Sequence, residues 1–449
     1  MQFKTDRDRG YSCIFAKGYL RKESNMEISV TPQKIGGKLQ MIASKSQAHR
    51  LLIAAALSTQ KTDIECNASS EDIDATARCL TAFGASIEKT KNGFSVSPIS
   101  GDTLSVADCG ESGSTLRFLL PVIGALGKRV RLKLGGRLPH RPLSPLWEEL
   151  EAHGMSLKRE GEDIIFCEGK LCGGAFTMPG NISSQFISGL LFALPLLSED
   201  STLTLTGTIE SKQYIAMTEE ALRKFGIDFT YNERTYSIRG GQTYRYAAEK
   251  PLRVEGDWSN AAFWLSAGAL GKKVTLSGIF RDSLQGDKEI CRILERFGAV
   301  IHEEADTVEA APAALSAISI DAAQIPDLVP ILAVVAAGAQ GETHIYGAAR
   351  LRIKESDRLK TVCAFLTALG GDIEETTDGL IIRGGKPLGG GTVDSAGDHR
   401  IAMSAAIASI IAEGTVTISG AEAVRKSYPD FWAHFEALGG KIERGGENE

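Results

Sequence analysis

Basic side chains gather where helices begin. Lys45, Arg50 and Arg117 lie in or just past the starts of apolar segments. Arg137 and Arg141 share the loop Gly135-Gly136-Arg137-Leu138-Pro139-His140-Arg141-Pro142. Arg350, Arg352, Lys354 and Arg358 crowd into one short stretch, and Asp398-His399-Arg400 and Lys426 complete the set. Any one of these reads as ordinary surface charge. Together they are harder to dismiss, because a helix N-terminus carries free N–H groups and partial positive charge that oppose a cation. Their repetition calls for an anionic ligand, and the guanidinium fork suits carboxylate and phosphate.

Two acids stand among these cations. Asp327 follows Pro326 at the start of a buried helix, and Glu355 sits beside Lys354. A helix cap is the plain reading of the first and a solvated ion pair that of the second. Proton transfer is the alternative; it needs each acid near the reacting atoms with a suitable pKa. The seven histidines show no HxxxH or HxH spacing, and the eight cysteines no CxxC pair. The glycines at 384–385 and 389–391 belong to no GxxxxGK[ST] or GxGxxG motif. Metal and nucleotide sites are therefore disfavoured.

The elements that position these residues repeat. A helix ending in Gly, followed by a short strand, recurs at Gly84, Gly154, Gly226, Gly298, Gly370 and Gly439. The intervals are 70, 72, 72, 72 and 69 residues, too regular for chance. Such a glycine suits the left-handed residue that closes many helices. A polar cluster opening a strongly apolar helix recurs about as regularly, at Ser44-Lys45-Ser46, Ser112-Gly113-Ser114-Thr115, Ser183-Ser184-Gln185, Asp257-Trp258-Ser259-Asn260, Pro326-Asp327 and Asp398-His399-Arg400. Helices apolar nearly all round are buried on every side, and Ser, Thr, Asp and Asn are preferred caps. Each unit reads as buried helix, strand, surface helix and strand pair.

The expected fold is α/β: two similar lobes of three units each, an inside-out barrel arrangement of buried parallel helices surrounded by sheets. One lobe spans 42–255; the other combines 26–41 with 256–449. The strand at Glu27–Thr31 is expected to pair in the second lobe, with crossings near 38–43 and 252–256. Residues 1–25, highly charged and without an apolar run, are expected to be a disordered extension, or Met26 the true start. The net charge of −6 argues against wholesale nucleic-acid binding. No 18-residue apolar run suggests a membrane span, and the cysteines read as free thiols of a reducing compartment. A cytoplasmic monomer follows, since two packed lobes bury their own apolar faces.

Ordered motifs extend this reading. Ser44-Lys45-Ser46 with Arg50, Gly113-Ser114-Thr115-Leu116-Arg117, Ser183-Ser184-Gln185, Ser211-Lys212-Gln213-Tyr214, Gln285-Gly286-Asp287, Pro326-Asp327, Lys354-Glu355-Ser356-Asp357-Arg358, Asp398-His399-Arg400 and Lys426-Ser427-Tyr428-Pro429-Asp430 occur in that order. Each is weak alone. As a set, over about 27–440, they resemble the enolpyruvyl transferases, and within them the branch whose acceptor is shikimate 3-phosphate. The resemblance implies transfer of the enolpyruvyl group of phosphoenolpyruvate to the 5-hydroxyl of that acceptor through a tetrahedral adduct, with no metal or organic cofactor.

The same resemblance implies site roles. Lys45, Ser46, Arg50, Ser183, Ser184, Gln185, Ser211, Tyr214, Asp327, Arg350 and Lys354 would meet shikimate 3-phosphate. Lys45, Gly113, Arg137, Gln185, Arg358, Arg400 and Lys426 would meet phosphoenolpyruvate. Asp327 would take the hydroxyl proton, Glu355 would protonate the methylene carbon, and Lys45 and Lys354 would assist. Gly113 implies sensitivity to glyphosate. Three positions depart from the family pattern: Ala43 stands for a common Gly, Glu111 for a common Asn, and Arg350 for an Asn. A sister branch using UDP-N-acetylglucosamine shares the repeats but carries a reactive Cys in the loop that here holds Arg137. A non-catalytic scaffold would be expected to lack the set Lys45, Asp327, Glu355 and Arg400.

Overall fold

The computed structural model describes residues 26–101 and 105–445. The extension expected over 1–25, and Cys13 with it, lie outside the described residues.

Glycine marks the joint of every unit. Gly84, Gly154, Gly226, Gly298, Gly370 and Gly439 all have φ between 73° and 109°, the left-handed region that a side chain disfavours. Each follows a half-exposed helix and turns the chain into a hairpin. In the first lobe the buried and half-exposed helices of the three units are α1 (Lys45–Leu57) and α2 (Glu71–Ala82), α3 (Gly113–Ala125) and α4 (Leu146–Ala152), and α5 (Ser184–Ala193) and α6 (Lys212–Lys224). In the second they are α7 (Trp258–Leu270) and α8 (Ile290–Phe297), α9 (Val329–Gly338) and α10 (Arg358–Ala368), and α11 (His399–Ala408) and α12 (Phe431–Ala437).

Among the described residues, six four-stranded sheets share one order. In the second unit, Ser105–Asp108 lies parallel to Val130–Lys133, which is antiparallel to Ile164–Gly169, itself paired with Met155–Glu160. The leading strand is an addition to the sequence reading. It has only four or so residues and a half-polar pattern, so periodicity gave it no signal. In two units the leading strand comes from a distant part of the chain. Leu252–Arg253 leads Thr62–Glu65, and Gly37–Gln40 leads Val274–Ser277. Glu27–Thr31 sits between Val416–Ser419 and Lys441–Arg444, within the second lobe.

The two crossings between lobes run side by side. Ser44 N–H donates to Glu255 O at 2.8 Å, and Asp257 N–H to Ile42 O at 2.9 Å. The apolar interior falls into two clusters, one from 43–254 and one from 28–42 with 258–438. On that basis we propose lobe boundaries at 42–43 and 255–256, the first one residue later than expected. α9 shows why its sequence is apolar all round: every residue from Val329 to Ala337 is buried. Burying one such Leu or Val is worth about 1.5–3 kcal/mol.

Five buried helices are capped as their clusters suggest. Ser44, Ser112, Ser183, Asp257 and Asp398 each accept a backbone N–H in the first turn. The exception is α9, which is entered through the tight turn Pro326–Leu328 with no side-chain cap. The capping reading of Asp327 therefore fails, and its carboxylate is engaged elsewhere. In α3, Pro121 lacks the N–H that would bond Arg117 O. Gly189 of α5 packs there so closely that a Cβ would lie 2.3 Å from that carbonyl. Together they bring the α3 and α5 N-termini alongside each other.

Candidate active site

All six buried helices direct their N-termini into one cleft between the lobes, about 1130 Å³ with open solvent included. Its walls include Lys45 and Ser46 of α1, Gly113 and Arg117 of α3, Ser184 and Gln185 of α5, Ser259 and Asn260 of α7, Asp327 before α9, and His399 and Arg400 of α11. Convergent free N–H groups make this an anion site before any side chain is counted.

The first-lobe face carries hydroxyls and cations. Lys45 Nζ pairs with Asp72 at 2.8 Å, while its backbone N–H donates to Asp257 of the second lobe. Arg50 is buried against the Phe118 ring and donates to Thr218 Oγ1, Ser46 O and Tyr214 O at 2.6–2.8 Å. Burial lowers its pKa to about 10. Arg117 donates to Gln185 Oε1 and Pro142 O, and Gln185 donates to Ser114 Oγ. The Nε atoms of Arg117 and Arg141 are buried without a partner. Burial, then the neighbouring Arg141, hold the Arg117 pKa well below its ordinary range. A Cβ on Gly113 would lie 2.6 Å from Arg117 Nη1 and 2.7 Å from Arg141 Nη1. A side chain at 113 would make these two guanidiniums shift. Ser211 holds φ 52°, a strained value for a non-glycine residue, and its hydroxyl accepts from Arg350 at 3.1 Å. Arg350 is paired across the cleft with Glu210.

The second-lobe face is a network of ion pairs. Arg358, 1% exposed, donates to Asp398, Asp327 and Glu355, each at 2.8 Å. Asp327 also meets Arg400 at 3.3 Å and Lys354 at 3.6 Å, and accepts from Tyr214 Oη at 3.1 Å. Burial pushes the Asp327 pKa up, but Arg400, Lys354 and Arg358 outweigh it and hold the carboxyl well below the usual range. Burial likewise opposes ionisation of Glu355, and Arg358, Arg141 and Lys354 overcome it. Burial lowers the Lys354 pKa despite Asp327.

Nearly every residue expected at the site lines this cleft: Lys45, Ser46, Arg50, Gly113, Ser183, Ser184, Gln185, Ser211, Tyr214, Asp327, Arg350, Lys354, Glu355, Arg358 and Arg400. Two do not. Arg137 is exposed and outside the cleft lining. The buried Leu138 anchors a single turn, Leu138–His140, and Arg141 just beyond it is the residue that enters the cleft. Lys426 is tied to the Glu111 carboxylate and to Gly397 O at 2.7 Å, outside the lining. The Asn-to-Glu departure at 111 supplies that carboxylate. Arg117 and Arg141 were visible as members of the basic set, but spacing alone did not say which loop arginine faces inward.

Comparisons with known proteins bear on the cleft. The family described as EPSP synthase (3-phosphoshikimate 1-carboxyvinyltransferase) matches residues 30–435. A 3-phosphoshikimate 1-carboxyvinyltransferase of Clostridium perfringens is 45% identical over 427 residues, 93% of this chain and 99% of the relative. That of Clostridium kluyveri is 43% identical over 420 residues, 93% and 98%. A solved EPSP synthase from Acinetobacter baumannii superposes with a TM-score of 0.78 at 27% identity, covering 94% of this chain and 100% of the other.

Proposed function

The chain belongs to the EPSP synthase, or 3-phosphoshikimate 1-carboxyvinyltransferase, family, and on that premise we propose how its cleft carries out the reaction. The enzyme transfers the enolpyruvyl group of phosphoenolpyruvate to the 5-hydroxyl of shikimate 3-phosphate and releases phosphate, a step of aromatic amino-acid biosynthesis. The observation that supports siting both substrates here is the convergence of six helix N-termini and a ring of cations on one cleft.

The first-lobe hydroxyls of Ser183, Ser184 and Ser211 receive the acceptor phosphate, with Arg350 beside Ser211. Ser46 and Arg50 hold the rest of the acceptor, and Tyr214 covers its ring. Lys45, the Gly113 backbone, Gln185, Arg117, Arg141, Arg358 and Arg400 gather phosphoenolpyruvate, with Arg141 in the role expected of Arg137. Lys426 joins them on release from Glu111. Two anionic groups on one small substrate need this many donors, and preorganised charge acts most strongly where water is excluded.

Asp327, held ionised, takes the proton as the acceptor oxygen attacks C2 of phosphoenolpyruvate, and Lys354 steadies that oxygen. Glu355 delivers a proton to C3. The depressed pKa of Glu355 opposes that role in the empty cleft. A bound phosphate and carboxylate compete for Arg141 and Arg358, which raises the proton affinity of Glu355. In the second step a C3 proton returns to a base, the double bond re-forms, and the C2–O bond to phosphate breaks. Residues from both lobes meet each substrate, so closure completes the site.

We also propose a cytoplasmic monomer that engages neither nucleic acid nor membrane. In support, each lobe has its own core, and no helix among the described residues is long and apolar enough to cross a membrane. Glyphosate is expected to inhibit at millimolar concentration, given the space kept by Gly113; an unchanged rate would count against it. The substrate pair is tested by phosphate release from phosphoenolpyruvate with shikimate 3-phosphate or UDP-N-acetylglucosamine. Release with the first alone is expected. Release with the second alone would move the enzyme to the sister reaction.

A further inference from the structure

The Tyr214 hydroxyl lies between two carboxylates. It is 3.1 Å from Asp327 Oδ2 and 3.5 Å from Asp287 Oδ2. The two acids live in opposite surroundings. Asp327 touches three cations. Asp287 is 1% exposed in the turn Gly286–Glu289 behind the cleft wall. Its Oδ2 accepts from Ser259 Oγ, and its Oδ1 has no partner. The charged and titratable groups facing it are Asp327, Arg400, Asp257 and Tyr214.

We propose that Asp287 holds the acceptor-hydroxyl proton while the tetrahedral adduct exists, receiving it from Asp327 through Tyr214. This rests on the reading of Asp327 as the base. The adduct forms by breaking the acceptor O–H bond and placing that proton on Asp327. A proton on a carboxyl among three cations is poorly held, because those cations favour the ionised form. Asp327 passes it to the Tyr214 oxygen as the tyrosine passes its own proton to Asp287. Asp327 returns to its ionised state, and the tyrosine is unchanged. The reverse shift supplies the proton again when phosphate leaves. Burial and the neighbouring Asp327 raise the Asp287 pKa to about 6 against the pull of Arg400 and Ser259, so the acid is poised to accept one at neutral pH. Asp287 acts through Tyr214 and Asp327 and is a positioning residue for the proton.

The test is the pH profile of kcat for Asp287→Asn, an isosteric change that cannot hold the proton. In the wild type, kcat should fall as pH drops through about 6, because Asp287 then starts protonated. In D287N, KM for both substrates should stay within about twofold, kcat should drop about tenfold or more, and that limb should vanish. Tyr214→Phe should lower kcat similarly, and the double variant should be no slower than the worse single one. A D287N enzyme with wild-type kcat, or with the acid limb intact, overturns the proposal. If D287N does not fold, Ser259→Ala serves instead. Loss of that donor should move the limb to higher pH, and an unmoved limb overturns the proposal. Asp327→Asn separates the two claims. Full activity there removes the base assignment itself, whereas an inactive D327N beside an unaltered D287N removes only the Asp287 relay.

Discussion

The two faces of the cleft are built from the same unit and are wired differently. On the first-lobe face, Arg117 and Arg141 keep buried Nε atoms without a partner, and Ser183, Ser184 and Ser211 offer neutral hydroxyls. On the second-lobe face, Arg358 binds three carboxylates and Asp327 meets three cations, with the buried Nε of Arg400 left without a partner there. A surface with donors to spare is suited to gather anions. A network whose charges are already matched is suited to hold acids in set protonation states. On the proposed reading, the first-lobe face mainly binds, Arg358 and Arg400 add cations from the second, and the acids that handle protons lie on the second-lobe face.

The sharpest way to break this contrast is to remove the hub. Arg358→Gln leaves Asp327, Glu355 and Asp398 without their common partner. Breaking a buried pair by deleting one side costs about 3–5 kcal/mol, so the variant should lose most of its activity and that much stability. Urea unfolding followed by tryptophan fluorescence reads it well, because Trp258, Trp264 and Trp432 lie in the second lobe and Trp147 in the first. A loss below about 1 kcal/mol would mean the network is not a structural hub.

Acid should single out the same lobe. Asp327, Glu355 and Asp398 have folded pKa values below their ordinary ones, because their cations outweigh burial. Their contribution is present above the unfolded values near pH 4 and fades as pH falls further. Unfolding free energy should therefore drop steeply below about pH 4 in the wild type and more shallowly in Arg358→Gln.

On the first-lobe face, Arg141→Gln should act on binding. KM for phosphoenolpyruvate should rise about 10- to 100-fold, a loss of about 1.4–2.8 kcal/mol, with stability changed by less than about 1 kcal/mol. Arg137→Gln is the control and should leave both KM values alone. The smallest effect is expected from Glu111→Asn, which frees Lys426 from a half-buried pair worth about 1 kcal/mol or less. KM for phosphoenolpyruvate should fall by no more than about fivefold. A rise would show that Glu111 orders the site.

The sequence carried the architecture because the repeated signals are local. A left-handed glycine and an N-terminal cap obey rules within a few residues, and Gly84 to Gly439 and the clusters from Ser44 to Asp398, the uncapped Pro326-Asp327 apart, follow them. What it did not carry depends on contacts between units. Arg137 and Arg141 share a loop, yet only Arg141 lines the cleft. Asp287 sat in a visible motif, yet its place beside Tyr214 and Asp327 joins three separate units. The Glu111–Lys426 pair spans the two lobes and has no local signature.

The division of labour rests most directly on Asp327. Steady-state phosphate release from phosphoenolpyruvate and shikimate 3-phosphate, wild type beside Asp327→Asn, measures it. The variant should lose about 10²- to 10⁴-fold in kcat, with KM for phosphoenolpyruvate changed only a few-fold. A variant that keeps its kcat and loses only affinity would contradict the assignment of proton transfer to the second-lobe face.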